Sequence, residues 1–281
     1  MSKFDLKNAI KERKMLVTAH RGANGGNIPC NSMQCYQIAY NQGADILEMD
    51  LTASSDGELF MLHPGMERVH TTIDSGYLGE ITAEQVRKHF LKNQDLTPTQ
   101  YGFVTLGEVL DEFKGKCFLN IDKFWDNPEK IAYEIRKRNM QDQVIVKSDP
   151  NNGKIIDLIE KYAPDMQFLA IISSLETSKH EELKRRNINY VGVEVLFGSD
   201  DHPLVSNEYI TKMHDEGYVV WGNSIVYDYR ANISGEHTDD VAVLGDEDKG
   251  WGFFAKKKFD IIQTDWLIPC VNYLKRKGYK N

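Results

Sequence analysis

"VTAHRGANGGNIPCNSMQCY", residues 17–36, is the stretch on which the reading of the fold turns. An apolar run from Met15 to Ala19 ends abruptly in His20-Arg21-Gly22. A loop of small residues follows, and Pro29-Cys30-Asn31-Ser32 then opens a helix, with Asn31 or Ser32 as its N-cap. A buried strand that stops at an imidazole and a guanidinium presents chemistry at its carboxyl end.

The same rhythm recurs along the chain. Apolar, β-rich runs fall at 15–20, 46–51, 117–122, 144–148, 168–172, 190–196, 218–222 and 260–264. Helical patterns separate them at 31–42, 105–114, 127–139, 151–162, 176–186, 204–216 and 248–258, and 266–277 closes the chain. Near-continuous apolar strands alternating with amphipathic helices predict a parallel sheet covered on both faces. Eight such units in 281 residues predict an α/β fold of the (β/α)8 TIM-barrel kind, in a single domain 1–281. A doubly wound sheet is the rival, but "GANGG" is not G-x-G-x-x-G in register.

Bulk composition bounds the function. Apolar residues are 41% and charged ones 27%, as in ordinary globular proteins. A net charge of -8 argues against nucleic acid as a partner, since such binders need a basic surface. No uninterrupted apolar stretch reads as a secretory signal or a transmembrane segment. Cys30, Cys35, Cys117 and Cys270 are spaced as reduced thiols, so the expected location is cytoplasmic.

The runs end in polar residues: His20, Glu48 and Asp50, Asp122, Lys147, then Glu194, Trp221 and Asp265. In a barrel these gather at the face where every βα loop opens. Glu48 and Asp50 lie two apart on a strand and so point the same way, where they repel unless a cation sits between them. A hard, oxygen-loving ion such as Mg2+ or Ca2+ fills that role, with Asp122 as third ligand. Taken alone, an E-x-D pair is more often solvated. Here a polar turn through Asp56-Gly57 and a second short apolar run lead to a second histidine, His63.

With these residues in place, the chain resembles the glycerophosphodiester phosphodiesterase family. The resemblance rests on His20-Arg21-Gly22, Pro29-Cys30-Asn31-Ser32, Glu48-Met49-Asp50, Asp56-Gly57 and His63, in order. It extends more loosely through Arg68 to Gly76, Thr105-Leu106, Asn120-Ile121-Asp122, Trp221 and Thr264-Asp265. It implies a barrel with a small insertion after strand 2, here about 64–103. It further implies an enzyme of lipid metabolism that uses one divalent cation to hydrolyse glycerophosphodiesters to glycerol phosphate and an alcohol. The substrate is then a small-molecule phosphodiester. His20 and His63 become general acid and base, Glu48, Asp50 and Asp122 metal ligands, and Arg21, Lys147 and Trp221 substrate contacts. Alternatives within the fold are a phosphodiester lyase of the phosphatidylinositol phospholipase C or sphingomyelinase D kind, giving a cyclic product, and a catalytically silent phosphodiester-binding barrel.

Three departures from the family pattern set expectations of their own. Asp122 and Lys123 are adjacent where relatives place Glu and Lys two apart, so Lys123 is expected to face away and Lys147 to supply the charge. The loop 223–248 after strand 7 is long enough to overhang the site, with Asn223, His237, Asp239 or Asp240 as headgroup contacts. Cys30 replaces a carboxylate, which leaves Arg21 free to meet a phosphate and gives the thiol a packing role.

Overall fold

The computed structural model describes residues 4–226 and 228–281. Eight parallel strands close into a barrel in sequence order. They are β1 Leu16–Ala19, β2 Ile46–Met49, β3 Phe118–Ile121, β4 Val144–Ser148, β5 Gln167–Ile172, β6 Asn189–Val195, β7 Val219–Asn223 and β8 Ile261–Thr264. Closure is made by β1 against β8, with Leu16 opposite Ile261 and Ala19 opposite Thr264. Every expected strand falls within a residue or two of its expected place.

Period-two alternation explains how the strands carry both a core and a site. Leu16, Ile46, Phe118, Ile145, Leu169, Val219 and Ile261 pack together as one cluster inside the barrel. Their neighbours Val17, Leu47, Leu119, Val146, Ala170, Val220 and Ile262 pack outward in the larger core beneath the helices. Two or four residues on from the inner layer, the same strand face delivers His20, Glu48, Asp50, Lys147, Asn223 and Gln263 to one cavity.

The opposite end of the barrel is plugged by a helix that the sequence pattern does not announce. Leu6–Arg13 is capped by Asp5, whose side chain accepts from the Asn8 N–H. Phe4, Leu6 and Ala9 join the interior cluster, and the Leu6 N–H donates to Gln167 Oε1. The covering helices are Met33–Asn41, Leu106–Phe113, Pro128–Lys137, Gly153–Tyr162, Asn207–Asp215, Trp251–Lys256 and Leu267–Arg276. After β5 the helix is only His180–Leu183, much shorter than the 176–186 pattern suggests.

Between β2 and Leu106–Phe113 the chain leaves the barrel. The excursion already begins at Leu51, because Leu51–Ala53 pairs antiparallel with Leu59–Met61 outside the barrel sheet. A second hairpin, Phe90–Lys92 with Pro98–Gly102, completes it. Side-chain contacts tie this hairpin to the loop after β1: Asn27 Nδ2 donates to Gln100 Oε1 at 3.0 Å and Gln94 Nε2 to Asn24 Oδ1 at 2.5 Å. No helix among the described residues is long and apolar enough to cross a membrane.

Candidate active site

The loop after β1 is held in a conformation its residues do not choose freely. Arg21 and Asn31 both have left-handed backbones, φ 54° and 53°. Each costs about 1–2 kcal/mol in an unconstrained chain. The Arg21 N–H donates to Glu48 Oε2 at 2.8 Å, and its carbonyl accepts from the Asn31 N–H at 3.1 Å. Gly22, at φ 82°, lies against Cys35, where a Cβ would stand 2.5 Å from Sγ. Only glycine fits there, which gives His-Arg-Gly its third member. Ser32 is the N-cap, accepting from the Cys35 N–H. Asn31 instead braces the second strand. Its Nδ2 donates to Asp50 Oδ2 at 3.0 Å, and its Oδ1 accepts from the Asp50 N–H and the Tyr36 hydroxyl.

Glu48, Asp50 and Asp122 come together as expected, with one oxygen of each within 4.8 Å of the others. Burial, then the charge of Asp50, lifts the Glu48 carboxyl to about 7. The repulsion among these carboxylates, in an all-oxygen donor set, fits a hard divalent cation. Burial also pushes Asp122 up, but the ammonium groups of Lys123 and Lys147 outweigh it and bring the carboxyl below its ordinary value.

Both histidines line the same cavity of about 310 Å3. His20 Nδ1 lies 2.8 Å from Asp265 Oδ1, and His63 Nδ1 lies 2.9 Å from the Pro64 carbonyl. A carbonyl only accepts, so His63 carries its proton on Nδ1, and a carboxylate asks the same of His20. Each ring thus has Nδ1 engaged, while Nε2 has no hydrogen bond among the described residues. Burial pulls His20 down, but the Asp265 hydrogen bond and the Glu48 charge outweigh it, and the imidazole sits above its ordinary value.

Asp265 stood in the sequence as a strand-end residue with no assigned role. It is positioned by Asp239, a buried carboxylate from the long loop. Asp239 Oδ1 accepts from Ser224 Oγ, Trp251 Nε1 and Thr264 Oγ1 at 2.6–2.7 Å, and Oδ2 accepts from the Asp265 N–H at 2.8 Å. In Asp239→Asn one carboxylate oxygen becomes a donor facing donors. Urea unfolding is expected to show a loss of about 1–3 kcal/mol, the cost of a buried unsatisfied polar group. A variant as stable as the parent contradicts this reading of Asp239.

Several expectations need correction. Lys123 does face the cavity: β3 ends at Ile121, and a left-handed turn at Lys123, φ 58°, swings its Nζ to 2.6 Å from Asp122 Oδ2. Strand alternation therefore does not apply at that point. Lys147 also lines the cavity, but its charge is already matched by Glu194 Oε2 at 2.6 Å. Trp221 is fully buried in the barrel interior, and its ring lies 4.2 Å from the Lys147 ammonium rather than on the cavity wall. It supports Lys147 and offers no surface to substrate.

In the long loop, His237 stacks on Phe253 at 3.5 Å, with its ring nitrogens engaged by Lys249 O and Asp200 Oδ1. His237 and Asp239 are thus turned inward to hold the loop, and Asp240 is exposed. Of the four, Asn223 alone is at the cavity wall.

The missing carboxylate at position 30 does not free Arg21. Its Nε lies 2.9 Å from Asp50 Oδ2, so the Asp50 carboxylate restrains it instead. Cys30 Sγ lies 2.8 Å from His70 Nδ1. Burial, with Cys35 nearby, pushes the Cys30 thiol up to about 12, so it is a neutral donor and no nucleophile. Cys30→Ser keeps a donor to His70, and kcat is expected to fall less than about tenfold, the scale of one modest hydrogen bond. Steady-state kinetics on the folded variant checks this, and a dead enzyme with an intact fold overturns it.

Three convergent carboxylates and two histidines thus meet at the mouth of the barrel. The glycerophosphoryl diester phosphodiesterase family model matches residues 20–223, and the chain belongs to that family. It is 30% identical over 164 residues to a glycerophosphodiester phosphodiesterase of Caldanaerobacter subterraneus, a match covering 55% of this chain and 65% of that one. To a protein of the same name from Bacillus subtilis it is 25% identical over 201 residues, covering 63% and 68%.

Solved structures share the fold. A glycerophosphoryl diester phosphodiesterase of Parabacteroides distasonis superposes with TM-score 0.74 at 19% identity, over 97% of this chain and 92% of that one. An Oleispira antarctica phosphodiesterase, solved with the product sn-glycerol-3-phosphate, does so at 0.65 and 16%, over 95% and 99%.

Proposed function

We propose that this chain hydrolyses glycerophosphodiesters to glycerol phosphate and an alcohol, with one divalent cation, Mg2+ or Ca2+, held by Glu48, Asp50 and Asp122. The observation that carries the reading is the lining of a single cavity by those carboxylates and by both histidines. The family membership and the activity named for the relatives support it.

When bound, the cation supplies positive charge against the anionic phosphoryl group. The chain's own residues do the rest. His20 and His63, each with Nδ1 engaged and Nε2 available, take a proton from the attacking oxygen and return one to the leaving oxygen. Asp265 holds the His20 ring in its tautomer and favours the charged form. Arg21, held in place through Asp50, directs guanidinium donors toward the phosphate, while Lys147 is engaged by Glu194 on the cavity wall.

The test is a panel of glycerophosphodiesters incubated with purified protein, with and without Mg2+ or Ca2+. Metal-dependent release of glycerol phosphate is expected. Phosphate retained in a cyclic end product would indicate a lyase, and binding without turnover a silent barrel.

A further inference from the structure

The 310 Å3 cavity opens onto a second, larger space. A cleft of about 1040 Å3 shares His20, Arg21 and His63 with the inner cavity. It runs between the loop after β1, the excursion after β2 and the segments that follow β7 and β8. A phosphodiester has two arms, and the shared histidines lie where its phosphorus would sit. The inner cavity offers a glycerol the Gln263 side chain, whose Oε1 is buried and unpartnered, beside Asn223 and Glu194, which hydrogen-bond each other. The outer cleft must then receive the leaving alcohol. Its volume of about 1040 Å3 is just above the roughly 300–1,000 Å3 that encloses a drug-sized ligand, far more than a two- or three-carbon alcohol requires.

The lining of the cleft specifies the chemistry of that alcohol. Val69, Leu96, Val226, Tyr229 and Trp266 all line it, and all are large apolar side chains left between 39% and 85% exposed. They come from three parts of the chain, the excursion after β2 and the segments after β7 and β8, and an exposed apolar patch gathered in this way marks a binding surface. The carboxylates on its wall are already matched, Asp265 by His20 and Asp228 by Arg230. Among the described residues a cationic alcohol would find no unmatched carboxylate there.

We infer that the cleft binds the leaving group, and that the preferred substrates are glycerophosphodiesters whose leaving alcohol has an extended apolar body. This inference rests on the proposed function. Its test is kcat/KM, by release of glycerol phosphate, for the ethyl, butyl and octyl diesters of glycerol phosphate and for glycerophosphocholine, all below micellar concentration.

The octyl ester is expected to exceed the ethyl by about tenfold, a modest share of the burial energy of six methylenes. In the double variant Leu96→Asn, Trp266→Ser the octyl-to-ethyl ratio is expected to fall to within about twofold as that burial is lost. Both replacements suit their sites: Leu96 has a left-handed backbone, φ 59°, which asparagine tolerates, and Trp266 precedes a helix, where serine caps well. A wild-type ratio near one, a ratio unchanged in the double variant, or glycerophosphocholine outpacing the octyl ester each overturns the inference. Absence of glycerol phosphate from every diester overturns the proposed function beneath it, whereas turnover with no chain-length dependence overturns only the cleft assignment.

Discussion

His20→Ala and His63→Ala are each expected to lower kcat by about two orders of magnitude or more, the usual scale of general acid–base catalysis. Both rings reach the cavity with Nδ1 already engaged, so truncation removes a proton-transfer group and leaves the barrel intact. The pH–rate profile distinguishes this from a loss of packing. His20 lies above the ordinary imidazole value because the Asp265 hydrogen bond and neighbouring negative charge outweigh burial. Asp265→Asn removes the hydrogen-bonded charge and leaves the burial, so the limb of the profile that reports His20 is expected to move to lower pH. Near-normal turnover in either alanine variant removes that histidine from the mechanism. A limb that stays in place in Asp265→Asn removes Asp265 from its partnership.

Stripping the divalent ion is expected to abolish turnover and to leave a mark on stability. Glu48 sits at about 7 in the folded chain against 4.5 for a free glutamate. A carboxyl whose folded value is raised binds more protons in the native than in the unfolded state as pH passes from about 4.5 to about 7. Metal-free protein therefore loses stability as pH rises through that window. A cation favours the ionised carboxylates, so loaded protein is expected to lack this loss, and ion affinity is expected to increase with pH across the same range. Thermal unfolding at a series of pH values, with chelator or with Mg2+ or Ca2+, provides the measurement. Identical pH–stability curves for stripped and loaded protein would contradict the cation site.

Sequence made the barrel legible because its strands are buried on both faces, and such strands read as apolar runs whatever surrounds them. Glu48, Asp50, His20 and His63 were legible for a related reason. Each continues its strand's alternation or ends an apolar run, so periodicity alone aims it at the mouth. Lys123 departs from this rule because alternation stops where the strand stops, and a left-handed residue at that point reverses the direction of the side chain.

Trp221 lies one layer deeper than its place at the end of an apolar run suggests. It shares the inward parity of Asn223 but lies two residues deeper, among the interior apolar side chains. Asp265 and Asp239 act through partners 245 and 26 residues away, His20 and the Asp265 N–H. Only the closed topology creates those contacts. The restraint on Arg21 by Asp50 is hidden likewise, since it joins the loop after β1 to the end of β2 and no local pattern pairs the two.

The most direct test of the central claim is a calorimetric titration of Mg2+ or Ca2+ into chelator-treated protein, with elemental analysis and turnover measured on the same sample. The expected result is one binding site, lost in Asp50→Asn, together with activity that is absent from the metal-free sample and restored on loading. Full activity in protein verified free of metal, or a site unaffected by Asp50→Asn, would contradict it.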